Sequence, residues 1–461
     1  MRVYGRAAVS AEVPPQETER AEGLADAGHV TGRGILALAV PALGALVAEP
    51  LFVLADSAIV GHLGPAQLAG LGTAGAALNT LVNVCVFLAY GTTAQVSRLI
   101  GAGRPREALA RGVDGMYVAA GLGLLLAVLG AGFAGPIVRW LGAGAQAAPY
   151  AASYLRVSSL GLPGMLVVLA ATGLLRGLQN MRTPLLVAAA AAVVNTLANW
   201  VLVYPCGLGI AGSAAGTASV QTAMAAVYVY TVWRACRGRE VAVRPDLRAV
   251  RAALSANLAL LARTIGLRVY LLAAVWGAGR MGTTALAAHT IAANLWSTLA
   301  LALDALAIAA QALVGHELGA GRVDGVRAVV ARMERWGLGF GVVTGIGLAA
   351  LSPLLPAVFT TDPAVRSALV PVLLVAAVFQ PPAGVVFVLD GVLIGAGDAG
   401  FLAWASLACT AVFLGALAAV LAAGWGLTGL WGAIGVFTVA RLVFLWARAR
   451  GSAWMRAGAE A

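Results

Sequence analysis

The chain has 461 residues, of which 61% are hydrophobic and only 11% charged, with a mean hydropathy of +0.90. A soluble domain is about one quarter charged, so this sequence has too little polar surface to cover itself in water and reads as an integral membrane protein. Its net charge of +11 comes from arginine spread through short connectors. Nucleic-acid binding asks instead for a clustered basic face, so no nucleic-acid partner is expected.

Residues 1–33 are polar and rich in Glu, Arg and Pro, with no apolar core of a signal peptide. They are expected to form a disordered tail. Apolar runs long enough to span a bilayer then predict twelve transmembrane helices, at 34–60, 68–97, 107–131, 149–175, 184–204, 211–233, 251–277, 283–314, 327–351, 366–394, 400–422 and 427–447. The even-numbered connectors and their edges hold sixteen arginines and the odd ones three. By the positive-inside rule the even connectors, both termini (1–33 and 448–461) and the Arg-rich linker 234–250 lie in the cytoplasm.

An internal repeat runs through the chain. Residues 60–69 return at 278–287, Gly101-Ala-Gly-Arg104 at Gly319-Ala-Gly-Arg322, and Leu175-Arg-Gly177 at Leu393-Ile-Gly395, all at an offset of 218. Gly207-Leu-Gly209 returns as Gly424-Trp-Gly426 at 217. Residues 34–233 and 251–447 therefore read as two copies of one six-helix lobe. An even number of spans makes the repeat parallel, about an axis along the membrane normal.

The first span carries Glu49 and Asp56, seven residues apart and so on one face, with Pro50 between them and Pro41 before them. Each proline removes a backbone donor and crowds the preceding turn, so the helix is expected to bend or break. A charged group in hydrocarbon is costly and marks a functional hypothesis; two buried carboxylates on a bent helix could take up protons or cations. A static ion pair with Arg156 or Arg263 is the alternative. In the fifth span Asn195 and Asn199 share a face at i, i+4, and Thr217 follows in the sixth; these are cation ligands or plain interhelical glue. Arg263 and Arg268 in the seventh span, Asp304 in the eighth and Asp390 in the tenth form either a structural polar network in the second lobe or a further titratable site. The four cysteines are scattered singly, without metal-ligand spacing, and no nucleophile or metal motif suggests an enzyme.

These residues carry a resemblance to the MATE (multidrug and toxic compound extrusion) transporters, and most closely to their DNA-damage-inducible (DinF-like) branch. The matching stretches are Pro41-Ala-Leu, Glu49-Pro-Leu and Ala55-Asp-Ser-Ala-Ile-Val-Gly-His-Leu-Gly64 in the first span. Gly177-Leu-Gln-Asn-Met-Arg-Thr-Pro184 opens the fifth and Gly209-Ile-Ala-Gly-Ser213 the sixth. The second half adds residues 303–315 and 388–398. The resemblance implies an all-α membrane protein of two pseudo-symmetric six-helix lobes around a V-shaped central cavity. It implies export of small organic, cationic or amphipathic compounds, driven by inward H⁺ or Na⁺, by a monomer in the cell membrane and with no cofactor. Asp56 then matches the coupling aspartate, Pro41 the bending proline, and Asn195 and Thr217 the aspartate's partners. The family's usual acid in the fifth span is Asn199 here, and the second-lobe acid of some Na⁺-coupled members is Ala383. Both replacements favour H⁺ over Na⁺. A major-facilitator carrier shares the six-plus-six layout, but its acidic and basic hallmark is missing from residues 97–106. A lipid-linked oligosaccharide flippase would use a cationic cavity, which Arg156, Arg263 and Arg268 keep open as a reading.

Overall fold

A computed structural model describes residues 32–241, 243 and 247–459, with side chains except those of Glu49 and residues 247–257. The described residues form helices and connectors without a strand. Helices satisfy their own backbone hydrogen bonds, which a segment in lipid must do.

In the first half the helices are α1 (Gly32–Gly61), α2 (Pro65–Val84), α3 (Phe87–Gly101), α4 (Pro105–Gly132), α5 (Ala134–Trp140), α6 (Ala148–Ser159), α7 (Leu162–Gly177), α8 (Arg182–Val203) and α9 (Gly209–Gly238). The second half has α10 (Leu247–Arg280), α11 (Thr283–Gly319), α12 (Val323–Leu351), α13 (Leu355–Phe359), α14 (Pro363–Gly395), α15 (Ala399–Ala423) and α16 (Gly426–Arg450). The second expected span is thus α2 plus α3, and the fourth is α6 plus α7, bent by 52°. The short helices α5 and α13 follow the third span of each half. With them set aside, twelve spans remain. Among the described residues nine helices, or ten with the bent pair, are long and apolar enough by composition to cross a membrane; α9 and α12, 30 and 29 residues long, are not among them.

Three stretches depart from expectation. The tail 1–33 falls outside the described residues apart from Gly32 and Arg33, which already belong to α1. The linker 234–250 is largely helical, since α9 continues to Gly238 and α10 begins at Leu247. Finally, α1 is a single helix through both Pro41 and Pro50, so of the expected bend or break the break does not occur.

The repeat is built into the packing. α4 lies on α7 as α12 lies on α14, α3 on α7 as α11 on α14, and α1 on α8 as α10 on α15. The tight helix approaches are doubled at the same offset. Gly173 faces the Ala89 carbonyl and Gly391 the Ala307 carbonyl. Between lobes, Gly101 abuts the His316 carbonyl and Gly319 abuts the Arg98 carbonyl. Residue i touching j+218 while j touches i+218 is the signature of a two-fold axis. Backbone approach this close leaves no room for a Cβ, which is why small residues sit at membrane helix crossings. The connectors agree as well: Gly103 and Gly321 both have φ 72°, a conformation that L side chains avoid.

The molecule is therefore an all-α bundle of two pseudo-symmetric six-helix lobes around a V-shaped cleft. The lobes meet where α3 and α11 end, at the face carrying the Arg-rich connectors. The cross-lobe hydrogen bonds from Gln311 Nε2 to the Tyr90 carbonyl (2.7 Å) and from Arg98 to the Arg456 carbonyl both lie in that half. Exposed Trp140, Trp200, Trp276 and Trp425 mark helix ends on the opposite side, and Trp233, Trp404 and Trp446 mark ends on the Arg-rich side. Such belts belong at the two membrane–water interfaces.

Candidate functional site

Asp56 sits in the last two turns of α1, buried at 6% exposure. α1 packs on α8, and α8 packs on α9, so the carboxylate points into the first lobe. Its Oδ1 accepts from the Asn199 side-chain amide. Its Oδ2 accepts from the hydroxyls of Thr217 (3.2 Å) and Tyr154 (3.3 Å). Behind these donors, Asn195 Nδ2 donates to Thr217 Oγ1 at 3.1 Å and Asn199 Nδ2 lies 3.2 Å from Asn195 Oδ1. The i, i+4 spacing of the two asparagines puts both amides on the α8 face turned toward α9, as the sequence reading required.

Asn199 reaches Asp56 because α9 offers it a gap. A Cβ on Gly216, the residue before Thr217, would fall onto Asn199 Oδ1. Gly216→Ala is expected to push the Asn199 amide off the carboxylate at a local cost of about 1–3 kcal/mol for overpacking. Coupled export should drop sharply while the amount of protein in the membrane stays near wild type. Transport at the wild-type rate would show that the Asn199–Asp56 contact is dispensable.

No cation lies within ion-pair distance of Asp56 among the described residues. Both arginines proposed as static partners are elsewhere. Arg156 is exposed, with Nε 3.4 Å from the Ala131 carbonyl, and Arg263 binds Asp390. Glu49 lies on α1 two turns before Asp56, but its side chain is outside the described residues. Three or more His, Cys, Asp or Glu side chains do not converge anywhere among the described residues. A cation at Asp56 would have one carboxylate and neutral oxygens from Asn195, Asn199 and Thr217.

The second-lobe residues only partly form the expected network. Arg263 on α10 and Arg441 on α16 both donate to Asp390 Oδ2 on α14, Arg441 at 2.8 Å. The backbone of Arg263 is held too, its carbonyl accepting from Ser406 at 3.0 Å. Asp304 lines a narrow cavity of about 20 Å³ with Tyr90, Gln311, Arg263 and Asp390, room for roughly one water. Arg268 forms no ion pair with the described residues and is not part of the cluster. Ala383 is fully buried on α14 and offers no side-chain oxygen.

Sequence reasoning missed Tyr154 and Arg441. Tyr154 is a polar tip in the second turn of the fourth span, a signal open to reading. Arg441 lies close enough to the end of the last span to pass as an interfacial anchor. Only the packing of α16 on α14 turns it inward.

The comparisons agree with this architecture. The MatE family model matches residues 41–201 and 261–420. Protein DETOXIFICATION 44, chloroplastic, of Arabidopsis thaliana is 30% identical over 431 residues, covering 89% of this chain and 81% of the relative. DNA damage-inducible protein F of Escherichia coli is 29% identical over 290 residues, 61% of this chain and 63% of the relative. A crystal structure of MATE in the bent conformation aligns with a TM-score of 0.83 at 20% identity, over 91% of this chain and 95% of that one. The chain is a member of the MATE family, a multi-pass membrane efflux transporter of small organic compounds and not an enzyme.

Proposed function

We propose that the chain is a secondary antiporter that exports cationic or amphipathic organic compounds in exchange for H⁺, by alternating access of the lobes 34–233 and 251–447. The observation that carries this reading is a buried carboxylate, Asp56, surrounded by neutral donors and paired with no cation among the described residues. A charge so placed is costly in the membrane, and a proton removes it. The network can also answer to that proton. On the Oδ2 side the hydroxyls of Thr217 and Tyr154 can turn from donating to accepting. On the Oδ1 side the Asn199 amide nitrogen can only donate. The proton therefore settles on Oδ2, where it donates to one of those hydroxyls, and the loss of charge weakens the bonds that tie α1 to α6 and α9.

The direction of coupling follows from topology. On the positive-inside reading the α3 and α11 ends lie in the cytoplasm with both termini, and the chain works as a monomer in the cell membrane. The lobes are closed at that end, so Asp56, in the other half of α1, is loaded from outside. A flippase built on a cationic cavity fits less well. Arg263 and Arg441 are both engaged by Asp390, and Arg156 is exposed.

The test is transport of a panel of organic cations by the purified chain in sealed vesicles, under an imposed pH gradient or an imposed Na⁺ gradient. Transport is expected with ΔpH alone; transport with Na⁺ alone would overturn proton coupling. Asn199→Asp adds a second carboxylate against Asp56, and a bound Na⁺ relieves the repulsion as a shared proton also does. It is expected to make transport depend on Na⁺. Unchanged ion dependence would rule out Asn199 as the residue that sets ion choice.

A further inference from the structure

The segment after α16 does not hang free. It turns back across the seam where the ends of α3 and α11 meet. Trp454 is only 3% exposed and belongs to an apolar core with members in both lobes. Its Nε1 donates to the Ala449 carbonyl at 3.2 Å, which holds the ring against the end of α16. Two bonds then tie the segment to opposite lobes. The Gly458 N–H donates to the Leu318 carbonyl at 3.0 Å, on α11 of the second lobe. The Arg456 carbonyl accepts from Arg98 Nη2, on α3 of the first.

Arg98 makes this seam unusual. It is 1% exposed, its Nε and Nη1 find no partner, and it has no ion pair among the described residues. A guanidinium has five N–H donors, and burying them unmatched is costly. The closed seam excludes water through the Gly101–His316 and Gly319–Arg98 backbone contacts, yet it strands a charge. Opening the lobes would return that charge to water. Closure at this end is therefore finely balanced, and the Arg456 carbonyl is what answers Arg98 in the closed form.

We propose that residues 451–459 are a latch, which closes the Arg-rich end by capping Arg98 and seating Trp454 across the lobe junction, and which sets how readily that end opens. The latch adds regulation to the transport cycle. It rests on the alternating opening of the lobes and not on Asp56 as the coupling group.

Spin labels on cysteines at Arg106 and Arg327, exposed residues of α4 and α12 in opposite lobes, read the opening directly by pulsed electron resonance. Exposed Cys206 is replaced, and Cys85, Cys236 and Cys409 are buried. Without substrate or gradient the full chain should give one dominant short distance. Truncation after Gly451 and Trp454→Ala should each raise the population at longer distance by about threefold to tenfold, the range expected for losing one net hydrogen bond. Gly458→Pro covers the case in which those variants fail to fold. It deletes the N–H bound to Leu318, and proline cannot adopt the φ of 114° found there, while the change stays at the surface. It should open the seam likewise. An unchanged distance distribution in folded Gly458→Pro and in either other variant would overturn the latch. Because no proton gradient is applied, a failure of Asp56 as the coupling group would leave this readout intact.

Discussion

Asp56→Asn is expected to abolish export driven by a pH gradient and reduce the flux to leak, with the protein still folded in the membrane. The substitution keeps the shape of the side chain and removes only its ability to take and release a proton. Its oxygen can still accept from the Asn199 amide. Its nitrogen then faces Thr217 and Tyr154, whose hydroxyls can accept as well as donate. The local hydrogen bonds thus survive with the hydroxyls reversed, and the side chain is uncharged as in the protonated state. The variant should bind substrate and exchange it across the membrane without using ΔpH, and its rate should not change with the pH of the outer side. Counterflow of a labelled substrate with and without ΔpH separates these quantities. Export at the wild-type rate under a pH gradient would remove Asp56 from the coupling role and turn attention to Asp304.

Asp390→Ala is expected to produce the largest loss of stability in the second lobe. Asp390 is the shared acceptor for two arginines, Arg263 at 7% exposure and Arg441, itself mostly buried. Removing it leaves two guanidinium groups in a nearly dry interior without their shared acceptor and with only Asp304 nearby. Breaking a buried pair in this way costs about 3–5 kcal/mol, and here three helices, α10, α14 and α16, lose their common anchor. Thermal unfolding followed in detergent should show a large drop in midpoint, and the yield of folded protein should fall. Replacing Arg263, Asp390 and Arg441 together by leucine should recover much of that loss, because the desolvation cost goes with the charges. If Asp390→Ala unfolds at the wild-type temperature, the cluster is not a structural anchor, and Asp390 regains standing as a titrating group alongside Asp304.

The two clusters divide the labour. Asp56 is held by neutral groups that can reverse, which suits a site that must change charge. Asp390 is held by two permanent cations, which suits one that must not. The same residue type, buried in both lobes of a repeat, thus takes opposite roles through the charge of its neighbours.

The sequence by itself determined the membrane class, the twelve spans, the two-fold repeat and four members of the Asp56 site. Those features are written in periodic or local terms. A run of apolar residues must be long enough to cross lipid, a repeat keeps its offset, and Asn195 and Asn199 share a face because a helix turns every 3.6 residues. Tertiary structure alone decided which charges meet. Whether Arg263 served Asp56 or Asp390 depended on how α10 packs against α14 and α16, and helix order along the chain says nothing of that. The same holds for Arg441, for Tyr154, and for the segment after α16, whose composition resembles any polar tail. Its Trp454 finds a seat only where two lobes, more than 200 residues apart in the repeat, close over it. Spans follow from local hydrophobicity; pairings follow from contacts between distant helices, and only the folded chain contains those.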